Sequence, residues 1–321
     1  MAEPASMAIR AAVRAALADL DGTALVLVGV SGGADSLALA AAAAWAAERG
    51  GPRAGAVCVD HGLQATSAAV AETAADACRS LALDPVTVVA VDVARTGAGP
   101  EADARVARHA ALTTAARDAD ASAVLLGHTA DDQAEQVLLG LLRGSGVRSL
   151  AGMPTARGLI RRPLLGISRA QTEESCRELG LTPWRDPHNA DPAYARVRAR
   201  TVLADLSRDL GPGIRAGLLR TAATARIDAD HLDAEAATAG EGLGPPPWPV
   251  DALAAIRPAL RGRIWRAALL RAGAPATDLT ADHVAACDRL VTDWHGQGPL
   301  HLPGRLRVRR STAAIVIEPG D

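Results

Sequence analysis

The stretch LVLVGVSGGADSLALAAAAAWAAE, residues 25–48, decides the fold. Its first six residues form an uninterrupted apolar run, the pattern of a buried parallel strand, and the alanine-rich segment at 37–48 has high helix propensity. Between them stands a polar turn of Ser31, Gly32, Gly33, Ala34, Asp35 and Ser36. Two adjacent glycines let backbone N–H groups approach an anion, at the positive end of the helix that follows. Ser31 and Ser36 add hydroxyl donors, and Asp35 supplies a carboxylate suited to a metal ion that bridges phosphates. The plain alternative is an ordinary glycine turn between a strand and a helix.

Outward from this turn, strand-like and helix-like stretches alternate through the first half of the chain. Residues 24–30, 54–59, 86–91 and 123–127 read as strands, and residues 36–49, 67–81, 101–118 and 131–143 as helices. This alternation predicts an α/β fold with a doubly wound, mostly parallel sheet, whose ligands bind beyond the carboxyl ends of the strands. Three polar turns fall at those ends: SGGADS, the DHG of residues 60–62, and the GHTADDQ of residues 127–133. A second section begins near Gly144, where GSGVRSLAGMP reads as a loop ahead of an apolar stretch at 159–165 and a helix at 168–179. Asp191 and Pro192 have the chemistry of an N-cap and first-turn pair for a helix carrying Tyr194, Arg196, Arg198 and Arg200. Beyond Gly211 the pattern is mainly helical, broken by the turn GLGPPPWP at 242–249, and it closes on HLPGRLRVRRSTAAIVIE at 301–318, read as a hairpin. The expected division is a domain of residues 1–210 followed by a smaller, mainly helical domain of residues 211–321.

A chain of 321 residues is long enough for two domains with sizeable cores. Phenylalanine is absent, so those cores must be built mainly from Leu, Val and Ala with a few Ile. All 34 basic residues are arginine. The net charge of −2 does not advertise a nucleic-acid partner, which must therefore be met by a local patch. Such a patch exists: between residues 143 and 200, eleven arginines stand against five acids. Cys58, Cys78, Cys176 and Cys287 lack CxxC or Cys/His spacing, which argues against zinc or an iron–sulfur cluster and for buried thiols in a reducing compartment. With no leader pattern and no apolar span of about 20 residues, the expected location is the cytoplasm, away from membranes.

The run SGGADS resembles the SGGxDS signature of the PP-loop family, whose members split ATP between the α- and β-phosphates to give AMP and pyrophosphate. A Walker A loop is excluded, because it requires a lysine and this chain has none. Further segments resemble bacterial tRNA(Ile)-lysidine synthetase: VDHGL at 59–63, EADARVARHAAL at 101–112, GHTADDQAEQVLLGLLRGSGVRSLAGM at 127–153, RPLLGISR at 162–169 and WRDPHNADPAYARVRAR at 184–200. The resemblance runs in order over residues 24–205, with the GHTADDQ segment its most specific part; GPLHLPGRLRVRR near the end fits more loosely.

The implied reaction joins the ε-amine of free L-lysine to carbon 2 of the wobble cytidine in the CAU anticodon of an isoleucine tRNA. ATP, with Mg2+, first adenylates the oxygen on carbon 2, and lysine then displaces AMP to leave lysidine. The first step calls for a pyrophosphate cradle, a divalent ion and positive charge where oxygens gain negative charge; the second calls for a neutral amine and a proton acceptor. The resemblance implies that Ser31, Gly32, Gly33, Ala34, Asp35 and Ser36 bind ATP, with Asp35 also holding the metal.

By the same resemblance, Arg108 occupies the second arginine of an ARxxRY motif, placed to contact the α-phosphate or the cytosine oxygen, with Arg105 one helical turn earlier. His128, directly after a strand end, is a candidate for contact with ATP or for proton transfer, a structural histidine being the alternative. Asp131 and Asp132 have the chemistry of helix N-terminal acids, a role that suits Asp131 better. Asp132 stands where the family keeps an acid that positions lysine or ATP, and Glu135 shares that helix face. Asp60 and His61 close the second strand, either as contacts to adenosine or lysine or as a plain strand-ending turn. Arg161, Arg162, Arg196, Arg198 and Arg200 suit tRNA phosphates, supplying register rather than base identity; exposed charges or structural ion pairs are their alternatives.

The chain departs from the family where Thr129 replaces a second histidine, His109 a tyrosine, Gln64 an arginine and Val197 an asparagine. These changes put a tyrosine-dependent or paired-histidine mechanism in doubt. The resemblance leaves a homodimer open without marking a self-complementary surface. A PP-loop tRNA thiolase shares the ATP chemistry but needs a sulfur-handling cysteine pair. A small-molecule amidotransferase-type synthetase does not account for the basic patch, and a non-catalytic nucleotide- or RNA-binding module predicts ATP binding without tRNA-dependent pyrophosphate release.

Overall fold

In the computed structural model, which describes residues 4–60, 62, 66–94, 99–144, 146–186, 191 and 193–320, the apolar run at 25–30 is an inner strand of a six-stranded sheet. The chain divides into two units, Met1–Leu139 with Met153–Leu219, and Gly140–Gly152 with Arg220–Asp321. In the first, α1 (Ala5–Ala16), β1 (Leu25–Val30), α2 (Ala34–Ala47), β2 (Arg53–Asp60), α3 (Ser67–Ser80) and β3 (Val86–Ala90) follow one another. Then come α4 (Pro100–Asp118), β4 (Ala123–Leu126) and α5 (Ala130–Leu142). After α6 (Val147–Leu150), which belongs to the other unit, the first unit resumes with β5 (Ala156–Arg157), β6 (Ile160–Arg161), α7 (Arg169–Glu178) and α8 (Ala195–Leu210).

The sheet order is β3-β2-β1-β4-β6-β5, parallel throughout except for the β5–β6 hairpin. Alternate side chains of β1 serve opposite faces. Val26, Val28 and Val30 pack with Ile9 and Val13 of α1 and Leu39 of α2, whereas Leu25 and Leu27 pack with Leu112 and Ala116 of α4. Helices thus cover both faces, which is why the strand is apolar without interruption. The doubly wound, mostly parallel α/β reading holds.

Two local readings change. Helix α1 is absent from the reading above, although Ile9, Val13 and Leu17 form a buried i, i+4, i+8 stripe. Its first turn is satisfied from a distance, the Ala5 and Ser6 N–H groups donating to the Glu178 carboxylate at 2.9 and 3.0 Å. Helix α8 starts at Ala195 with Tyr194 in the N-cap position, not at Asp191; the Asp191 side chain accepts the Ala193 N–H at 2.8 Å, forming a turn before the helix. Pro192, the other half of that pair, lies outside the described residues.

The second unit holds most of α9 (Ile214–Leu243), followed by β7 (Trp248–Pro249), α10 (Val250–Ala255), α11 (Pro258–Arg271) and α12 (Ala281–Thr292). Strands β8 (Leu300–Leu302), β9 (Leu306–Arg310) and β10 (Ala314–Pro319) complete it. The expected terminal hairpin is here part of an antiparallel sheet of order β7-β10-β9-β8. Trp248, recruited from the proline-rich turn, joins its edge beside β10. It packs edge-to-face on Trp265, with ring centroids 5.5 Å apart, inside a core that also buries Leu253, Leu269, Leu290, Val308 and Ile315. Among the described residues, no helix is long and apolar enough to cross a membrane.

Candidate active site

The turn after β1 is built to leave backbone donors available. Gly32 takes the left-handed conformation, with φ of +82°, and its carbonyl accepts the Trp184 N–H at 2.9 Å. Gly33 occupies the N-cap of α2 and carries no side chain to satisfy the first N–H groups of the helix. Ser36 ties the loop together, its hydroxyl donating to the Gly33 carbonyl at 2.9 Å and accepting the Ser31 N–H at 3.2 Å. Ser36 is buried, whereas Ser31 is exposed; Ala34 is half-buried at the start of α2. The third turn packs on the first: a Cβ on Gly127 would stand 2.9 Å from the Asp35 carbonyl oxygen and 3.1 Å from the Ser36 nitrogen.

Acids from this turn and from α5 converge on one guanidinium. Arg169, the first residue of α7, donates from Nη2 to Asp132 Oδ1 at 3.0 Å, with Nε 3.6 Å from Asp35 Oδ2 and Nη1 4.0 Å from Glu135 Oε1. Thr172, one turn further along α7, donates its hydroxyl to Asp35 Oδ1. The Arg169 N–H donates to Asp131 Oδ2 at 2.8 Å, and Arg215 pairs with Asp131 Oδ1 at 2.9 Å. Glu135, almost wholly buried, also accepts from Arg200 Nε at 2.9 Å, while its second oxygen has no hydrogen-bond partner. Burial raises the affinities of Asp35 and Glu135 for protons above the ordinary carboxylate range, against the lowering effect of their hydroxyl and guanidinium partners.

The capping role expected of Asp131 falls on Asp132. Its Oδ2 accepts the Thr129 N–H at 2.8 Å and the Thr129 hydroxyl at 3.0 Å, leaving Oδ1 to Arg169. Thr129, standing in place of a second histidine, is thereby a fully buried capping residue. Asp35 and Asp132 aim one oxygen each at the same cation. That donor set fits Mg2+, which uses one or two carboxylates together with phosphate oxygens rather than an all-protein cage.

Positive charge gathers beside the third turn. The half-buried His128 has its proton affinity pushed down to about 2, first by burial and then by Arg105, Arg162, Arg108 and Arg196; its Nδ1 has no hydrogen-bond partner. His109 is lowered to about 4 by burial and by Arg105, Arg108 and Arg162. Arginines from α4, from the position directly after β6 and from α8 therefore act on one place, which attracts an anion. His128 is neutral there. A role in proton transfer requires that an incoming phosphate first offset the arginines.

The remaining predicted residues take distinct positions. Asp60, at the carboxyl end of β2, accepts the Gly62 N–H at 3.0 Å in a strand-ending turn, and His61 lies outside the described residues. Arg161 is engaged with Asp19, Nη2 to Oδ2 at 2.8 Å, and with the Ala16 carbonyl. Arg162 is buried and donates to the Pro154 carbonyl at 3.0 Å. Arg200 is held by Glu135, Arg196 is half-buried, and Arg198 is exposed while donating to the Ala193 carbonyl at 2.7 Å. Sequence reasoning did not single out Arg169, Thr172 or Arg215. Their signal was the Ser168 and Gln171 capping box, which places Arg169 and Thr172 on the opening turn of α7.

The fold and this site define a PP-loop protein: the profile of the PP-loop domain matches residues 6–206, and that of the TilS substrate binding domain matches residues 249–314. The chain is 52% identical to a tRNA(Ile)-lysidine synthase of Salinispora tropica, covering 99% of this chain and 98% of the relative. It is 53% identical to that of Thermobifida fusca, covering 96% of each, and 46% identical to that of Mycobacterium tuberculosis, covering 89% and 87%. The chain belongs to the tRNA(Ile)-lysidine synthase family. Among solved structures, a U34-tRNA thiolase from Methanococcus maripaludis with its [4Fe-4S] cluster superposes with a TM-score of 0.56 at 19% identity, over 67% of this chain and 77% of that one, a likeness of fold.

Proposed function

We propose that this chain is a ligase that couples free L-lysine to carbon 2 of the wobble cytidine in the CAU anticodon of isoleucine tRNA, converting ATP to AMP and pyrophosphate through an adenylated cytidine. The observation that carries the reading is the junction of the glycine-rich turn with the GHTADDQ turn, packed at Gly127 and bridged by Arg169 between Asp35 and Asp132. It sets backbone N–H donors, two carboxylates and a cluster of arginines at the same ends of neighbouring parallel strands. In this reading the N–H groups at the start of α2 cradle the leaving pyrophosphate, and Arg108 with Arg105 stabilises charge at the α-phosphate and the cytosine oxygen. Asp35 and Asp132 are the carboxylates that would hold Mg2+, which supplies charge neutralisation at the phosphates when bound. The Glu135 carboxylate, buried with one oxygen unpartnered, suits a cationic group of the lysine substrate.

The tRNA lies along the basic segment in this reading. Arg198 and Arg196 offer charge to its phosphates, whereas Arg161, Arg162 and Arg200 hold protein groups and contribute mainly through their field. Residues 1–210 serve catalysis and residues 211–321 tRNA recognition, consistent with the substrate-binding profile matched at 249–314. A thiolase reading gains little from the cysteines, all four of which are buried; the Cys58 and Cys78 thiols are hydrogen-bonded to each other but enclosed in the core between β2 and α3. The deciding experiment incubates pure protein with ATP, Mg2+, radiolabelled lysine and an isoleucine tRNA transcript bearing CAU. Label is expected in the tRNA, with pyrophosphate released only when tRNA is present. Folded protein with intact RNA and no label would end the lysidine reading.

A further inference from the structure

We propose that Arg169 is the positioning residue of this site: its guanidinium sets the mutual geometry of Asp35 and Asp132, with Glu135 at the limit of its reach. The inference rests on the ligase reading and concerns how its acids are held. Asp35 comes from the first turn of α2, and Asp132 and Glu135 come from α5; neither segment fixes the other's side chains by itself. Arg169 reaches both, at 3.0 Å to Asp132, 3.6 Å to Asp35 and 4.0 Å to Glu135. Its own placement is determined from three sides. The Ser168–Gln171 capping box fixes the first turn of α7, the Arg169 N–H is taken by Asp131, and Thr172 on the next turn holds the other oxygen of Asp35.

The chemistry requires such a bridge. Carboxylates brought together in a partly buried place repel one another and favour protonation, and a guanidinium shared by Asp35 and Asp132 keeps those two oxygens aimed at one point, while Glu135 is bound more closely by Arg200, at 2.9 Å. A planar fork can address two acids at fixed angles from separate nitrogens; a lysine ammonium at the same position is one point charge on a flexible stem and cannot. Arg169 therefore acts on the acids, not on the reacting atoms. Charge is also incompletely matched in the immediate group of Asp35, Asp132 and Arg169, where two acids meet one cation. The excess of one negative charge suits a further positive group arriving with the substrates.

Arg169→Lys and Arg169→Ala, compared with the wild type, test the inference through the kcat for lysine transfer, the KM for tRNA, the affinity for ATP by calorimetry, and the melting temperature. Displacing catalytic groups by about an ångström is worth on the order of a hundredfold in rate, so Arg169→Lys is expected to lose at least about tenfold in kcat. The KM for tRNA should stay within about twofold, because no tRNA-facing group is changed, and the melting temperature should be close to that of the wild type. In Arg169→Ala, added guanidinium ion is expected to restore part of kcat. Wild-type kcat in a folded Arg169→Lys protein overturns the proposal, as does a loss confined to KM for tRNA. Should Arg169→Ala fail to fold, the lysine variant alone decides. A wild-type protein without lysine transfer would instead remove the ligase reading, so the two failures are told apart.

Discussion

At the scale of single residues, the role proposed for Asp35 and the stability of the fold pull in opposite directions. Its carboxyl is held above the ordinary range chiefly by burial, so the stability linked to it is present at low pH and is lost as pH rises through the folded-state value. At pH 7 the ionised form weighs against the fold. Asp35→Asn keeps an acceptor for the Thr172 hydroxyl and removes the buried charge; it is expected to abolish lysine transfer while leaving the melting temperature equal or higher. A lower melting temperature with activity retained would contradict both assignments. His128 works with the opposite sign. Its folded-state value is about 2, against about 6.5 for an unfolded histidine, so below pH 6.5 the unfolded chain gains a proton that the folded chain refuses. Stability linked to His128 is therefore lost as pH falls from 7 to 5. Chemical denaturation across that range should show a shallower loss in His128→Gln, by up to about 1.4 kcal/mol per pH unit.

Between elements, the contact that matters most for the site is the approach of β4 to the start of α2. Gly127 meets backbone atoms of Asp35 and Ser36, which have no side-chain rotamer through which to give way. Gly127→Ala must push the two turns apart, an overpacking expected to cost roughly 1–3 kcal/mol. The same shift moves the N–H groups of the glycine-rich turn. ATP affinity measured by calorimetry should fall at least about tenfold, since a 1.4 kcal/mol loss already gives that factor. Unchanged ATP affinity in a folded variant would separate the junction from nucleotide binding. Helix α7 adds a second connection between elements, because its opening turn carries both Arg169 and Thr172 toward acids on α2 and α5. Two elements remote in sequence are thus referred to one rigid, capped helix start.

For the whole chain, the formal charge of −2 hides a distribution in which arginines gather on the segment that the tRNA would follow. Affinity for RNA is then a property of local field and salt, and not of net charge. Arg198→Ala, which removes an exposed arginine from the start of α8, is expected to weaken tRNA binding uniformly across sequences. The slope of log K against log salt should drop by about 0.7–0.9, measured by filter binding over a salt series. An unaltered slope would remove Arg198 from the interface. Arg161→Ala is a useful contrast, because its guanidinium already serves Asp19 and the Ala16 carbonyl.

Much of this protein was decided locally. The apolar run at 25–30, the alanine-rich helix after it and the paired glycines between them depend on neighbouring residues alone, so the sequence determined the parallel α/β class and the glycine-rich turn at its centre. The terminal sheet and α1 were less legible: Trp248 joins a strand from within a proline-rich turn, and the start of α1 is completed by Glu178. Asp132 was readable as a candidate site acid, but Arg169 was one arginine among eleven in its segment. Only the tertiary structure decided that Arg169 joins Asp35 to Asp132, that Thr172 reaches a carboxylate 137 residues away in sequence, and that burial, with arginines from three segments, lowers the proton affinity of His128. Propensity and periodicity act over a few residues along the chain. Ion pairing and desolvation depend on distances through space, which are set only when the elements pack.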